Sequence, residues 1–306
     1  MRKLFITLIT SLLPVLGYAQ MPHWQWAKSM GAIGSSVGIA NTTDSIGNVY
    51  VAGGLGYDLN HRNAFIGKYN SNGSLLWMKQ NDASINTITA NATSIVVDRS
   101  GNVYAAGIFE GSAISFDNHV FNWYGFNYQS AFIVKYDKNG VYEWCKKFGA
   151  HGWAAMAIDT ADNIYLASTY TGIDTIGSFV LSASTSYQSF LTKIDKNGTV
   201  LWANSTGNGI NNNSPDVEVQ GIHSDAAGNI YTTGYYSDTA ILGADTVYAI
   251  SSYNDGYLAK YDKNGNGIWA TSWGAINAGS GASIGIDGAG NIYSQSTLMS
   301  NQYFLL

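Results

Sequence analysis

After residue 20, apolar residues occur in short runs that alternate with polar ones or continue for a few positions, and none repeats with the 3.6-residue period of a helix. Residues 94–97 form a nearly continuous apolar run, which is typical of a strand buried on both faces. Residues 131–136 alternate as a half-buried strand does, and the Asp-Lys-Asn-Gly at 137–140 predicts a tight reversal. We therefore predict an all-β protein.

Three short motifs recur in the same order along the chain. Gly-Asn-x-Tyr occurs five times, with aspartate in place of glycine in the third copy, and ends at Tyr50, Tyr104, Tyr165, Tyr231 and Tyr293. Lys-Tyr-Asp-Lys-Asn-Gly at 135–140 has close matches at 68–73, 193–198 and 260–265. A tryptophan stands at positions 26, 77, 144, 202 and 269. The chain is therefore one unit of roughly 60 residues used repeatedly.

Each unit is predicted to contain four strands, named A to D in chain order. Strand A ends at an aspartate, B carries Gly-Asn-x-Tyr, C precedes the Asn-Gly turn, and D carries the tryptophan. Four-stranded units repeated without helices predict a β-propeller of antiparallel blades. The expected blades lie near residues 35–80, 92–148, 153–205, 218–273 and 281–306 together with 23–29.

The two ends of the mature chain have complementary patterns. Residues 23–29 resemble an extra D strand, and residues 301–306 resemble a C strand without a following D strand. One interpretation is that the N-terminal strand completes the last blade and closes a five-bladed ring, which would hide exposed strand edges. The other is that the natural chain continues past residue 306 and forms a larger ring.

The first 19 residues have the pattern of a signal peptide. Arg2 and Lys3 precede an apolar run from Leu4 to Leu16, and small residues end at Ala19. The run is shorter than the roughly 20 apolar residues that span a membrane. We predict cleavage after Ala19 and a single exported propeller domain over residues 20–306, without a transmembrane segment.

Composition excludes several classes of protein. Of the 306 residues 11% are charged and the net charge is −5, so a basic nucleic-acid-binding surface is not expected. Cys145 is the single cysteine, which excludes a disulfide scaffold. It follows Trp144 in a predicted strand, so we expect a buried, unreactive thiol.

These motifs resemble those of the bacterial secreted β-propeller repeat family. The resemblance rests on Asp-x-x-Gly-Asn-x-Tyr, Phe-x-x-Lys-Tyr-Asp-x-Asn-Gly and the following tryptophan, and it covers residues 24–306. It implies an exported protein, secreted or attached to the outer surface of a Gram-negative bacterium, with a binding or scaffold role and no defined catalytic residues. A C-terminal sorting module, common in such proteins, does not occur in this sequence.

Repeated aspartates are expected to form turns rather than sites. They are Asp44, Asp98, Asp159, Asp225, Asp287, Asp137, Asp195 and Asp262. Asp-x-Asn-Gly also resembles part of a calcium loop, but the bidentate glutamate of such a loop is missing. No histidine spacing typical of a metal site occurs, and we predict no cofactor and no metal.

The connections between strands differ in how much they vary. A–B and C–D turns are nearly constant, whereas B–C and D–A connections vary and should emerge on one face. Aromatic residues in the variable connections are the candidate ligand contacts: Trp123, Tyr124, Tyr128, Trp153, Tyr187, Tyr236 and Tyr253. The longest insert, residues 116–128, either offers rings and amides to a ligand or folds into a hairpin that buries Phe116 and Phe121.

The predicted function is that of a non-catalytic binding or scaffold module. Its ligand would be a glycan or a surface protein, bound by a monomer on the face with the variable connections. The alternative is a propeller-fold glycoside hydrolase or lyase. That chemistry needs paired carboxylates at the central channel, and carboxylates outside the turns, among them Glu110, Asp216 and Glu218, could supply them.

Overall fold

The computed structural model describes residues 26–29, 36–56, 61–82, 87–122, 129–149, 151–183, 188–206, 208–209, 217–250, 254–274, 279–298 and 302–305. All regular secondary structure in these residues is β, as the sequence pattern predicts. Four antiparallel four-stranded sheets and a three-stranded one follow each other along the chain and form the blades of a β-propeller. The signal peptide prediction lies outside the described residues.

The strands of blades 1 to 4 are ordered A-B-C-D in space as in sequence, and the described strands of blade 5 are ordered A-B-C. Blade 1 contains β1 (Val37–Thr43), β2 (Val49–Gly56), β3 (Arg62–Tyr69) and β4 (Leu75–Gln80). Blade 2 contains β5 (Thr87–Val97), β6 (Val103–Gly111), β9 (Gln129–Tyr136) and β10 (Tyr142–Phe148). Blade 3 contains β11 (His151–Ile158), β12 (Ile164–Tyr170), β15 (Gln188–Ile194) and β16 (Val200–Thr206).

The remaining blades continue the same order. Blade 4 contains β18 (Val217–Ser224), β19 (Ile230–Tyr236), β22 (Asp255–Tyr261) and β23 (Gly267–Trp273). Blade 5 contains β24 (Gly279–Ile286), β25 (Ile292–Leu298) and β26 (Gln302–Leu305). Three additional hairpins are inserted between strands B and C: β7 (Ala113–Phe116) with β8 (His119–Asn122), β13 (Ile173–Ile176) with β14 (Phe179–Ser182), and β20 (Thr239–Leu242) with β21 (Asp245–Tyr248). The short β17 (Asn208–Gly209) pairs with β20.

Three hydrophobic clusters lie between consecutive blades, from blade 1 to blade 4. Because blades 2 and 3 pack against neighbours on both faces, their B strands are buried almost throughout, as in β12, where every residue is buried. This packing explains the continuous apolar runs in the sequence.

The D-strand tryptophans of blades 1, 2 and 3 pack against the C–D turn of the following blade. The Trp77 ring lies 6.2 Å from that of Tyr136, and its Nε1 donates to the Lys138 carbonyl at 3.3 Å. Trp26 makes the same contacts with blade 1: its ring stacks on Tyr69 at 6.3 Å and its Nε1 donates to the Ser71 carbonyl at 2.9 Å. Trp26 therefore takes the place of a D-strand tryptophan immediately before blade 1.

Strand exchange between the two ends of the chain is not seen in the described residues. Residues 26–29 belong to no strand, and the described part of blade 5 has three strands, β24, β25 and β26. The ring-closing strand thus remains a prediction, supported at blade 1 by the position of Trp26.

The inserted hairpins fold along the outer edges of blades 2, 3 and 4, and we call them clasp hairpins. Each tip reaches the first residue of its own blade's D strand: the His119 ring stacks on Tyr142 at 4.0 Å, and a Cβ added at Gly177 would lie 2.7 Å from Val200 Cβ. Gly243 approaches the backbone of Gly267 in the same way. The described parts of the B–C inserts therefore cover the D strands instead of projecting from the variable face.

Clasp hairpins also hold the segment that follows the preceding blade. Phe116 forms an antiparallel bridge with Asn81, and β20 pairs with Asn208 and Gly209 after blade 3. In the longest insert, Phe116 is fully buried and Phe121 packs against the cluster between blades 1 and 2. Residues 113–122 thus form a hairpin, as the second of the two expectations for this insert had it.

Candidate functional site

The carboxylates of the repeated aspartates in the A–B turns accept hydrogen bonds from groups of the same turn. Asp225 Oδ1 accepts the backbone N–H groups of Ala227 and Asn229 at 2.9 Å, and Oδ2 accepts Asn229 Nδ2 at 2.7 Å and the Tyr231 hydroxyl at 3.1 Å. Burial alone would raise the pKa of Asp225, but these hydrogen bonds outweigh it and hold the pKa below its usual value. The same arrangement occurs at Asp44, Asp98, Asp159 and Asp287.

Aspartates of the C–D turns are used in a similar way. Asp137 Oδ1 accepts the N–H groups of Asn139 and Val141 at 2.8 Å, and Asp195 and Asp262 make the equivalent bonds. In the part of the chain that the structure describes, no group of three or more histidine, cysteine, aspartate or glutamate side chains is arranged to hold a metal ion. The repeated aspartates thus serve as acceptors for the backbone of their own turns.

The inner A strands, which surround the propeller axis, contain one carboxylate in their described residues. It is Glu218, the second residue of β18. Its Oε2 accepts the Tyr235 hydroxyl at 2.5 Å. A hydrolytic carboxylate pair is therefore not formed by these described inner strands.

The seven predicted contact residues have different outcomes. Trp123, Tyr124, Tyr128, Tyr187 and Tyr253 lie outside the described residues. Tyr236 as a surface contact is wrong, because its side chain is fully buried and its ring packs edge-on to Tyr257 at 6.5 Å. Trp153 is half-buried near the start of β11, where it packs against the cluster between blades 3 and 4.

Half-buried polar side chains lie around Gly152, the residue before Trp153, at the variable-face end of the strands. Glu218 near the start of β18 and Tyr235 near the end of β19 form the hydrogen-bonded pair already described. A Cβ added at Gly152 would lie 3.5 Å from Glu218 Oε2, and the Gly152 N–H donates to Gln129 Oε1 at 3.1 Å. We call Gln129, Trp153, Glu218 and Tyr235 the mouth cluster.

The mouth cluster combines an indole, a phenol, an amide and a carboxylate. The rings supply apolar area with one polar end, and the amide and carboxylate supply directional hydrogen bonds. Sequence reasoning selected Tyr236 and missed the adjacent Tyr235 and the nearby Gln129. Their position in the sequence could have identified them, because all four cluster residues lie within three residues of a strand end at the variable face.

Cys145 lies inside blade 2 and is 7% exposed. Burial raises the pKa of its thiol far above neutrality, so the nucleophilic thiolate is not formed at physiological pH.

We expect the native protein to show no reaction with a disulfide-exchange reagent at pH 7.5, and to release one equivalent of chromophore per chain after unfolding in urea. The second measurement is the control for reagent and thiol integrity. Full reaction of the native protein within minutes would contradict the buried position of Cys145.

No family model matches the chain. The chain is similar to an uncharacterized WD repeat-containing protein of Acanthamoeba polyphaga mimivirus, with 26% identity over 318 residues, which covers 80% of this chain and 23% of that relative. The chain thus spans about a quarter of the length of the curated relative it matches. A solved structure of a protein of unknown function from Bacteroides caccae is similar over 78% of this chain and 82% of that chain, at 9% identity and a TM-score of 0.34, too low to carry an argument.

The viral relative supports a repeat protein of the propeller type. Membership of the bacterial secreted β-propeller repeat family, which the motifs resemble, stays a prediction. A repeat propeller supports a general role as a binding or scaffold module. No helix in the described residues is long and apolar enough to cross a membrane.

Proposed function

We propose that this protein is an exported, non-catalytic module that binds a glycan at the mouth cluster, on the face of the propeller where the B–C and D–A connections emerge. The observation that carries the proposal is the Tyr235–Glu218 pair close to Gly152, the residue before the half-buried Trp153. The glycan would belong to a cell surface, because residues 1–19 have the pattern of a signal peptide.

A sugar ring suits this combination of side chains. Its C–H face packs on an indole such as that of Trp153, and its hydroxyls need both donors and acceptors at fixed angles. Glu218 offers a carboxylate whose orientation is held by the Tyr235 hydroxyl, and Gln129 offers an amide whose oxygen is held by the Gly152 N–H. Such pre-positioned groups reduce the ordering cost of binding.

A binding role is favoured over hydrolysis by the same residues. Retaining and inverting glycosidases both need two carboxyl groups at a defined separation. Glu218 is the single carboxylate in the described residues of the inner strands, so these residues do not supply the second carboxyl group of such a pair.

We expect Trp153→Ala to weaken glycan binding by about thirtyfold, because an aromatic anchor of an interface contributes about 2 kcal/mol or more when truncated. The mature protein, labelled at its C-terminus, would be screened on a glycan array and on an array of purified bacterial surface proteins. The glycan with the strongest signal would then be titrated by calorimetry.

Tyr248→Ala provides the matched control. Tyr248 is 68% exposed on the clasp hairpin of blade 4, at the outer edge of that blade and not on the inner strand that carries Glu218, so its removal should leave the affinity unchanged. Equal loss in both variants, or binding to surface proteins alone, would contradict the glycan proposal.

A further inference from the structure

A groove lies on the outer rim between blades 2 and 3, and we call it the rim groove. It is lined by residues 146–148 of β10, by residues 177–178 at the tip of the clasp hairpin of blade 3, and by residues 198–200 at the C–D turn of blade 3. Its volume of about 510 Å³ is in the range of small-molecule sites. No residue that lines it is acidic, and two are lysines.

Between blades 1 and 2, the lysine equivalent to Lys146 has a partner within the protein. Lys79 stands two residues after the D-strand Trp77, as Lys146 stands two residues after Trp144. Lys79 Nζ forms an ion pair at 2.9 Å with Asp117, the first residue of the turn in the clasp hairpin of blade 2. This position in the repeat is therefore able to hold a carboxylate against a lysine.

Between blades 2 and 3 the protein does not supply that carboxylate. Gly177 follows the last residue of β13 as Asp117 follows the last residue of β7, so glycine stands where the ion pair needs an acid. A Cβ added at Gly198 would lie 2.6 Å from Lys146 Cε, which places the lysine stem across the C–D turn. Among the described residues, no acceptor lies within hydrogen-bonding distance of Lys146 Nζ.

We propose that the rim groove binds the carboxylate of an acidic sugar, with Lys146 in the role that Lys79 has toward Asp117. Exposed Ser178 and Thr199 present hydroxyl groups along the groove, and these suit the hydroxyls of a uronic acid ring. Lys147 lines the same groove, and its Nζ donates to the carbonyl of Asn122 in the clasp hairpin of blade 2. This site lies on the outer edge of the blades and does not depend on the mouth cluster.

The test uses the mature protein and trigalacturonate, with trigalactose as the neutral counterpart and a short polyglutamate peptide as the acidic non-sugar. Calorimetry should show binding of trigalacturonate that weakens with added salt, no comparable binding of trigalactose, and weaker binding of the peptide. Lys146→Gln should reduce the affinity for trigalacturonate about tenfold, because a charge-assisted hydrogen bond is lost.

Lys263→Gln is the matched control, since Lys263 is an exposed lysine in the C–D turn of blade 4 and its replacement changes the net charge equally. It should leave the affinity unchanged, as should Trp153→Ala, and circular dichroism should show the same fold in all variants. Equal binding of trigalactose, tighter binding of polyglutamate, or an equal effect of Lys146→Gln and Lys263→Gln would overturn the proposal.

Discussion

Replacement of Asp98 by alanine is expected to lower the free energy of unfolding by about 3–5 kcal/mol, because several buried donors lose their acceptor together. Asp98 is 6% exposed and accepts the N–H groups of Ser100 and Asn102 at 2.9 and 2.8 Å, the Asn102 side-chain amide at 2.8 Å and the Tyr104 hydroxyl at 3.2 Å. Tyr104 is fully buried, so its hydroxyl cannot bond to bulk water instead. Urea titration followed by tryptophan fluorescence measures the change.

Asp287→Ala is the matched control, because Asp287 makes the same four hydrogen bonds in blade 5. There the tyrosine of the motif, Tyr293, is 44% exposed, and water can replace the lost acceptor. We expect a clearly smaller loss of stability for this variant. Equal losses of stability in the two variants would show that burial of the turn does not determine how much the turn contributes to the free energy of unfolding.

Removal of the Phe116 ring is the second change with a large expected effect. Phe116 is fully buried, its ring lies 5.1 Å from that of Phe132, and its backbone bridges to Asn81 of the preceding blade. Phe116→Ala should therefore lower the free energy of unfolding by about 3–5 kcal/mol through lost burial and the cavity that remains. Thermal and urea unfolding both report this loss.

Val120→Ala in the same clasp hairpin is its control. Val120 is 49% exposed, so its truncation should change stability by about 0.5 kcal/mol or less. If Phe116→Ala were as well tolerated as Val120→Ala, the hairpin would not be packed on the blade, and the outer-edge position of the insert would be wrong.

The fold could be predicted from the sequence because its strongest signals are local. An aspartate such as Asp225 accepts N–H groups two and four residues ahead, so its turn is specified within seven residues of sequence. Five copies of the motif then give the four-strand order. The position of a tryptophan on the next blade follows from the same repetition, as Trp77 and Trp26 show.

The orientation of side chains at the ends of the B strands could not be predicted in the same way. In a strand buried on one face, alternating polarity shows which residues point outward. β19 is buried from Ile230 to Gly234 because blades pack on both of its faces, so the pattern does not distinguish Tyr235 from Tyr236. The structure makes the distinction through Glu218, which approaches one of the two tyrosines from the neighbouring strand.

Clasp hairpins were not predicted as a group because their partners are distant in sequence. Each first strand ends in an apolar residue, Phe116, Ile176 or Leu242, followed by a turn that uses positive φ at Asp117, Gly177 or Gly243. That short shared pattern was a usable signal for a hairpin. Its docking on the outer D strand depends on contacts such as His119 with Tyr142, which local patterns do not show.

Binding at the mouth cluster is tested most directly by hydrogen–deuterium exchange of the mature protein with and without the glycan selected on the array. Protection is expected in peptides that cover the start of β11 around Trp153, the start of β18 around Glu218 and the end of β19 around Tyr235. Exchange should not change in the A–B turns at residues 98–102 and 225–229. Protection confined to those turns or to the clasp hairpins, with none at the mouth cluster, would contradict the proposed binding site.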